Sequence, residues 1–335
     1  MARELRKTGH GNVFNAMTKA TRDLRELSAP SIDPLPEAVR IDGKTCLVTG
    51  ANSGLGRAAA IELARRGGNM LLACRPGHTG VADEIGRLSG SDAVALIDVD
   101  LSDLRSVHRC CDDLQRRGVR IDIALMNAGV MSRRSQKTPQ GYEVMFAVHF
   151  LANRVMIDRW LQDGVISPAR VGGETPRVVF VASDSHRSAA AIDFDRFGSY
   201  AQHGMSESMR RYAESKLVLC TFAAELSRRL NPTGNVEVAV HALCPGGVAT
   251  NIVKEAPRAL RPIFNAWLRR FFQSPTEAIG PVVHLCCAPE AGNSTGMYLH
   301  MMHRKQVSPD AADPHNGARL WEASEPMVAR SGESA

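Results

Sequence analysis

The chain has 335 residues, 44% of them apolar and 23% charged, which excludes a disordered protein and supplies enough apolar surface for a sizeable core. Its net charge of +6 comes from scattered arginines, and aromatics are only 5%, so nucleic-acid binding, which asks for a dense basic stripe with interleaved rings, is not expected. No apolar run is long enough to cross a bilayer, no apolar stretch follows the basic N-terminus, and none of the eight cysteines forms a CxxC pair. The expectation is a cytoplasmic protein with reduced core thiols and no metal site.

Residues 1–40 carry no catalytic motif. Apolar residues at Val13, Phe14, Met17, Ala20, Leu24 and Leu27 suit one amphipathic helix, and Pro30, Pro34 and Pro36 then break the chain. This N-terminal helical extension is expected to pack on its own domain or on a neighbouring subunit. From Lys44 the pattern becomes βα alternation. Short, nearly continuous apolar strands are predicted at 45–48, 69–74, 93–97, 121–126, 177–182 and 236–243, with a helix at 57–66 and helical patterns between the others. Such strands imply a parallel sheet covered on both faces: a doubly wound α/β fold, three-layer αβα. No linker interrupts the pattern, so a single domain is expected over 41–325, with a C-terminal tail at 326–335.

Between the first strand and its helix lies Thr49-Gly50-Ala51-Asn52-Ser53-Gly54-Leu55-Gly56. Residues without a Cβ let the backbone meet a pyrophosphate, and the following helix presents free N–H groups and a positive dipole end to it. The spacing is GxxxGxG and not GxGxxG. In this form, TGxxxGxG, the turn resembles that of the short-chain dehydrogenase/reductase family, a family with a Rossmann-type fold. The resemblance continues with Asn127-Ala128-Gly129 after the fourth strand and with Pro245-Gly246 after the sixth, followed by Val248 and Thr250. It implies that the NAG element lies beside a nicotinamide cofactor, that the PG segment lies against the nicotinamide, and that Thr250 contacts the cofactor. It also implies that Asp100-Leu101 meets the adenine ring. The order and spacing of these motifs together are specific, although each alone is weak.

At the end of the second strand a carboxylate would accept hydrogen bonds from the ribose 2′-hydroxyl and repel a 2′-phosphate. Cys74-Arg75-Pro76-Gly77 offers none, and Arg75 can pair with a phosphate, with Arg57 adding to the field. NADP(H) is therefore expected in preference to NAD(H).

Tyr212-Ala213-Glu214-Ser215-Lys216 is a YxxxK pair, and residues four apart on a helix share a face. Carbonyl reduction needs a hydride and a proton. A neighbouring ammonium and the cofactor's positive ring favour the phenolate, so together they are expected to lower the tyrosine pKa and make Tyr212 a usable acid/base. Ser183 follows the fifth strand, at the sheet end where ligands bind. The resemblance implies that it holds the substrate oxygen, with Ser185 as the alternative. On the helix after the NAG strand, the resemblance puts His149 where the family has an asparagine that helps hold a relay water. His149 is taken as a relay candidate or, equally, a satisfied buried imidazole. Asn153 lies one turn on.

Residues 251–276 interleave apolar side chains, including Phe264, Trp267, Phe271 and Phe272, with arginines, and are read as an amphipathic lid over an apolar pocket. A hydrophobic small-molecule substrate and a homo-oligomer are expected, with membrane contact disfavoured. Within the family, Ala73-Cys74-Arg75, the helix around Phe146 and Ser274-Pro275-Thr276-Glu277 resemble the retinol-dehydrogenase-like branch. The competing readings are a catalytically silent dinucleotide-binding regulator or scaffold and, as a lesser one, a protochlorophyllide-reductase-like double-bond reductase.

Overall fold

The protein was analysed as a computed structural model, which describes residues 31–169, 174–247 and 274–333. Its centre is an eight-stranded sheet in the order β3-β2-β1-β4-β5-β6-β7-β8. The first six strands are Thr45–Thr49 (β1), Asn69–Cys74 (β2), Val94–Asp98 (β3), Ile123–Met126 (β4), Arg177–Val181 (β5) and Ala239–Cys244 (β6). All pair in parallel, as does β7 (Tyr298–His300) with β6. Only β8 (His303–Lys305) runs antiparallel, against β7. Leu47, Leu72, Leu125 and Val179 have lost essentially all solvent contact, as a sheet covered on both faces demands.

Helices α1 (Gly54–Arg65), α2 (Val81–Ser89) and, late in the chain, Gly280–Cys287 cover one face. Ala59, Leu63, Ile85, Val282 and Leu285 are their contributions to that core. The other face is covered by α3 (Leu104–Arg116), α4, α5 (Met205–Leu230) and a last helix. Here α4 denotes a run made of Val144–Phe146, a π-helical turn Ala147–Leu151, and Ala152–Gln162. With Gly280–Cys287 numbered α6, the last helix, Pro314–Glu333, is α7. It fastens this layer: the guanidinium carbons of Arg154 and Arg229 lie over the Trp321 ring, 3.8 and 4.3 Å from its centroid. Chain direction around the sheet reverses between β1 and β4, and the crevice beyond their C-terminal ends is where such folds take ligands.

The expected strands are present within a residue or a few of their predicted limits. Four differences have physical causes. The first helix begins at Gly54 and not at Arg57, so the last two glycines of the turn form its first turn. The hairpin β7–β8 has strands of only three residues, too short to show a period. Residues 326–333 belong to α7, whose Met327 and Val328 pack against the core, so a free tail from 326 is not what the chain forms. Likewise Ile32 donates its N–H to Met302 O at 2.6 Å, and Leu35 and Val39 pack on the α1 side, so residues before 41 also pack on the domain. The predicted helix at 13–27 and residues 251–273 of the predicted lid lie outside the described residues. All eight cysteines are buried and free, and among the described residues no helix is long and apolar enough to cross a membrane.

Candidate active site

The glycine turn is shaped for close approach. Gly50 and Gly54 have φ of +69° and +57°, a region that side chains disfavour. At Gly56 a Cβ would stand 2.3 Å from Asn127 Nδ2 and 2.5 Å from Gly50 O, so only glycine lets α1 come this near the β4 end. Asn127 Nδ2 donates to Thr49 O at 2.8 Å, and Ala128 N–H donates to Thr49 Oγ1 at 3.0 Å. The NAG element thus braces the turn from behind. Ser53 caps α1 in extended conformation without a side-chain bond to the helix, so the first N–H groups of α1, with no intrahelical acceptor, form an anion cradle at its mouth. Such a cradle fits the pyrophosphate of a nicotinamide dinucleotide, held by residues 50–56.

Around the cradle, Arg75 is exposed just past β2, while Arg57 is ion-paired with Glu84 and has less charge to lend a phosphate. Two neighbours were not anticipated. The Cys74 thiol lies beside the turn, and burial pushes its pKa up against the lowering effect of the Ala51 and Asn52 backbone. His78 Nε2 lies 3.4 Å from Asn52 Nδ2. Asp100 turns one carboxylate oxygen back onto Ser102, whose N–H and hydroxyl donate to it at 2.9 and 2.7 Å; Leu101 is buried. Pro245 and Gly246 follow β6, and a Cβ on Gly246 would meet Met301 Cγ at 3.1 Å. Val248 and Thr250 lie outside the described residues.

Tyr212 and Lys216 share one face of α5, with Lys216 Nζ 5.7 Å from the Tyr212 ring centroid. Lys216 is buried and donates to Val181 O, the last carbonyl of β5, at 3.0 Å. Ser183 follows two residues on, and its hydroxyl favours the phenolate form of Tyr212. Its Oγ also accepts from Ser185 N–H at 3.3 Å and from Ser185 Oγ at 2.9 Å. Ser185 thus steadies the Ser183 hydroxyl.

The electrostatics differ from the expectation. Burial, with the Cys244 thiol adding to it, raises the Tyr212 pKa to about 12 against the lowering effect of Ser183. Burial also lowers Lys216 to about 8. Desolvation disfavours charge on both partners.

His149 sits in the π-helical turn of α4, wholly buried, its ring edge-to-face with Tyr212 at 5.5 Å between centroids. Its Nε2 accepts from Val130 N–H at 3.0 Å, and Nδ1 lies 2.8 Å from Ser215 Oγ. Asn153, one turn on, donates from Nδ2 to His149 O at 2.8 Å. Behind Ser183, the buried Asp184 carboxylate gathers Arg187 Nε at 3.1 Å, Lys305 Nζ at 2.8 Å, Tyr298 Oη at 3.3 Å and His300 Nδ1 at 3.3 Å. Burial alone would raise its pKa, but His300 and Lys305 hold the carboxyl well below the usual range. His186 donates from Nδ1 to Ser183 O at 2.8 Å and accepts at Nε2 from Ser308 N–H at 2.9 Å. These two residues tie the serine loop to the β7–β8 edge and to α7's approach, and neither was singled out by its sequence context. Among the described residues, no group of three or more His, Cys, Asp or Glu side chains could hold a metal ion.

A family model described as short chain dehydrogenase matches residues 44–191. Mouse retinol dehydrogenase 14 is 32% identical over 301 residues, covering 85% of this chain and 86% of that protein. The chain belongs to the short-chain dehydrogenase/reductase family, on its retinol-dehydrogenase-like branch. It is an NAD(P)-dependent oxidoreductase acting on alcohol or carbonyl groups. Solved structures of this dehydrogenase fold agree in architecture. The Pseudomonas aeruginosa RhlG/NADP active-site complex superposes with a TM-score of 0.59 at 19% identity, over 80% of this chain and 98% of that one. The Brucella melitensis 3-ketoacyl-(acyl-carrier-protein) reductase complexed with NADH gives a TM-score of 0.55 at 20% identity, over 78% and 97%. In this dehydrogenase the cradle, the braced NAG element and the Ser183–Tyr212–Lys216 cluster all lie at the C-terminal ends of the central strands.

Proposed function

We propose that this dehydrogenase interconverts a carbonyl and an alcohol on a hydrophobic substrate, uses NADP(H) in preference to NAD(H), and employs Tyr212 as its acid/base. The observation that carries the reading is the placing of Tyr212 and the buried Lys216 amine on one face of α5, with that amine bonded to the last carbonyl of β5, two residues before Ser183. A bound nicotinamide cofactor supplies or accepts the hydride. The side chains do the rest. Ser183 orients the phenol and offers a hydroxyl to the substrate oxygen. Tyr212 gives its proton to that oxygen during reduction and takes it back during oxidation. Lys216, anchored to Val181 O, fixes the lower edge of the site.

Support for an apolar substrate comes from the surface. Among the described residues the exposed large hydrophobics are Val130, Met131, Met205 and Met209. The first two follow the NAG element, and the others precede Tyr212 on its helix. Ser208 Oγ donates to Ser132 O at 2.6 Å, which ties the two segments together. Methionine is flexible and suits greasy, variable ligands. Retinol, named in the mouse relative, is an alcohol of that kind. NADP(H) is favoured by Arg75 and by the lack of a carboxylate beside it in Cys74-Arg75-Pro76-Gly77.

NADPH oxidation with a panel of apolar aldehydes and ketones tests this. Tyr212→Phe is expected to lower turnover by about 10²–10⁴-fold while NADPH affinity stays within a few-fold of wild type. A Tyr212→Phe enzyme as fast as wild type, or no turnover on any member of the panel, removes the assignment. Arg75→Ala should weaken NADPH binding far more than NADH binding; equal effects would take Arg75 out of the phosphate site.

A further inference from the structure

The hydrogen bonds around His149 determine its protonation. A backbone amide can only donate, so Val130 N–H requires a bare lone pair on Nε2. A neutral ring then carries its hydrogen on Nδ1, and that N–H donates to Ser215 Oγ. This frees the single Ser215 hydroxyl hydrogen for the Tyr212 carbonyl, which accepts it at 2.7 Å. One chain of hydrogen bonds therefore runs from the loop after β4, through the imidazole, to the backbone of Tyr212. On its loop side the ring is pressed close: a Cβ on Gly129 would lie 3.3 Å from His149 Nε2 and 3.7 Å from Lys216 Nζ.

A proton relay needs a ring nitrogen that can accept a proton and another that can release one. Protonating Nε2 would set N–H against the N–H of Val130. The charged or titratable groups packed on the ring are Lys216 and Tyr212 of α5, and the positive charge of Lys216 opposes a second one on the imidazole. From the loop side only backbone meets it.

We propose that His149 is a positioning residue, locked as the neutral Nδ1–H tautomer, that registers the cofactor-side loop against Tyr212 and Lys216 and carries no proton of the reaction. The proposal rests on Tyr212 being the acid/base. Three replacements separate its roles. Asparagine can place an amide N–H near the position of Nδ1, glutamine can place an acceptor near that of Nε2, and leucine supplies neither. With NADPH and the carbonyl compound that wild type reduces fastest, His149→Leu is expected to lower kcat by about tenfold to a hundredfold, as small misplacements do. His149→Asn and His149→Gln should each recover part of that loss. All three should keep the wild-type shape of the pH profile.

Equal and complete loss in all three with disappearance of a limb of the profile would mean that the ring relays protons, and would overturn the proposal. Unchanged kcat in all three would overturn it as well. Selective ¹⁵N-histidine NMR of the wild-type protein gives a readout independent of turnover. An Nδ1–H signal for His149 persisting from about pH 5.5 to 9 is expected, and an imidazolium or an Nε2–H tautomer in that range would refute it. If wild type reduces no substrate at all, the functional reading fails, while the NMR result still decides the tautomer.

Discussion

Replacing Lys216 by methionine should separate what the protein loses in stability from what it gains in chemistry. The Lys216 pKa falls from 10.5 to about 8, and burial is the main cause. Each unit is worth about 1.4 kcal/mol, so holding this amine inside costs about 3 kcal/mol at pH 7. Methionine fills similar space without the charge but leaves Val181 O without its donor, a loss of about 1–3 kcal/mol. At pH 7 the two nearly offset, and Lys216→Met is expected to be as stable as wild type or up to about 2 kcal/mol more stable. The sign with pH is firmer. Below about 8 both folded and unfolded wild type carry the proton, and the penalty is complete. As pH rises toward 10.5 the unfolded amine also loses its charge, and the penalty fades. The carbonyl term does not titrate. Urea unfolding of both proteins at pH 7 and pH 10 should show the difference moving toward wild type by about 2 kcal/mol, while NADPH-dependent turnover of the variant is lost. A stability difference that stays constant across that range would show that Lys216 is not a strained buried amine.

Two further outcomes follow from packing. Gly56→Ala drives a methyl group toward Asn127 Nδ2 and the Gly50 carbonyl; the amide can swing away, but the carbonyl belongs to a left-handed turn. An overpacking cost of about 1–3 kcal/mol should appear as a lower Tm together with NADPH binding weakened by at least about tenfold, and normal binding by isothermal titration would mean that α1 can retreat freely. Trp321→Ala removes the ring that Arg154 and Arg229 lie over and that stacks on Phe222. Chemical denaturation should register a loss of about 3 kcal/mol, and a loss under about 1 kcal/mol would show that α7 is fastened elsewhere.

The strands were readable because a parallel strand covered on both faces is a nearly continuous apolar run, as in Thr45–Thr49 and Arg177–Val181. Tyr212 and Lys216 were readable because their partnership is local, four residues along one helix. What escaped is what depends on distant chain. Nothing near Ser183 or Ser185 says which one α5 will approach. His149 depends on Val130 and Ser215, the latter 66 residues away, so its sequence context left relay and brace equally open. Asp184 draws its partners Lys305 and His300 from a hairpin whose strands are too short to recognise, and His186 draws Ser308 from beyond it.

The same separation governs the pKa values. Within the protein itself burial is the largest influence, and it moves Tyr212 up and Lys216 down together. Both are thereby driven toward their neutral forms. Among the groups acting on Tyr212 in the protein, the one that works against burial is Ser183. Its hydroxyl therefore acts against the effect of burial on the phenol. The supports behind it, Ser185 on its Oγ and His186 on its carbonyl, keep that hydroxyl in place.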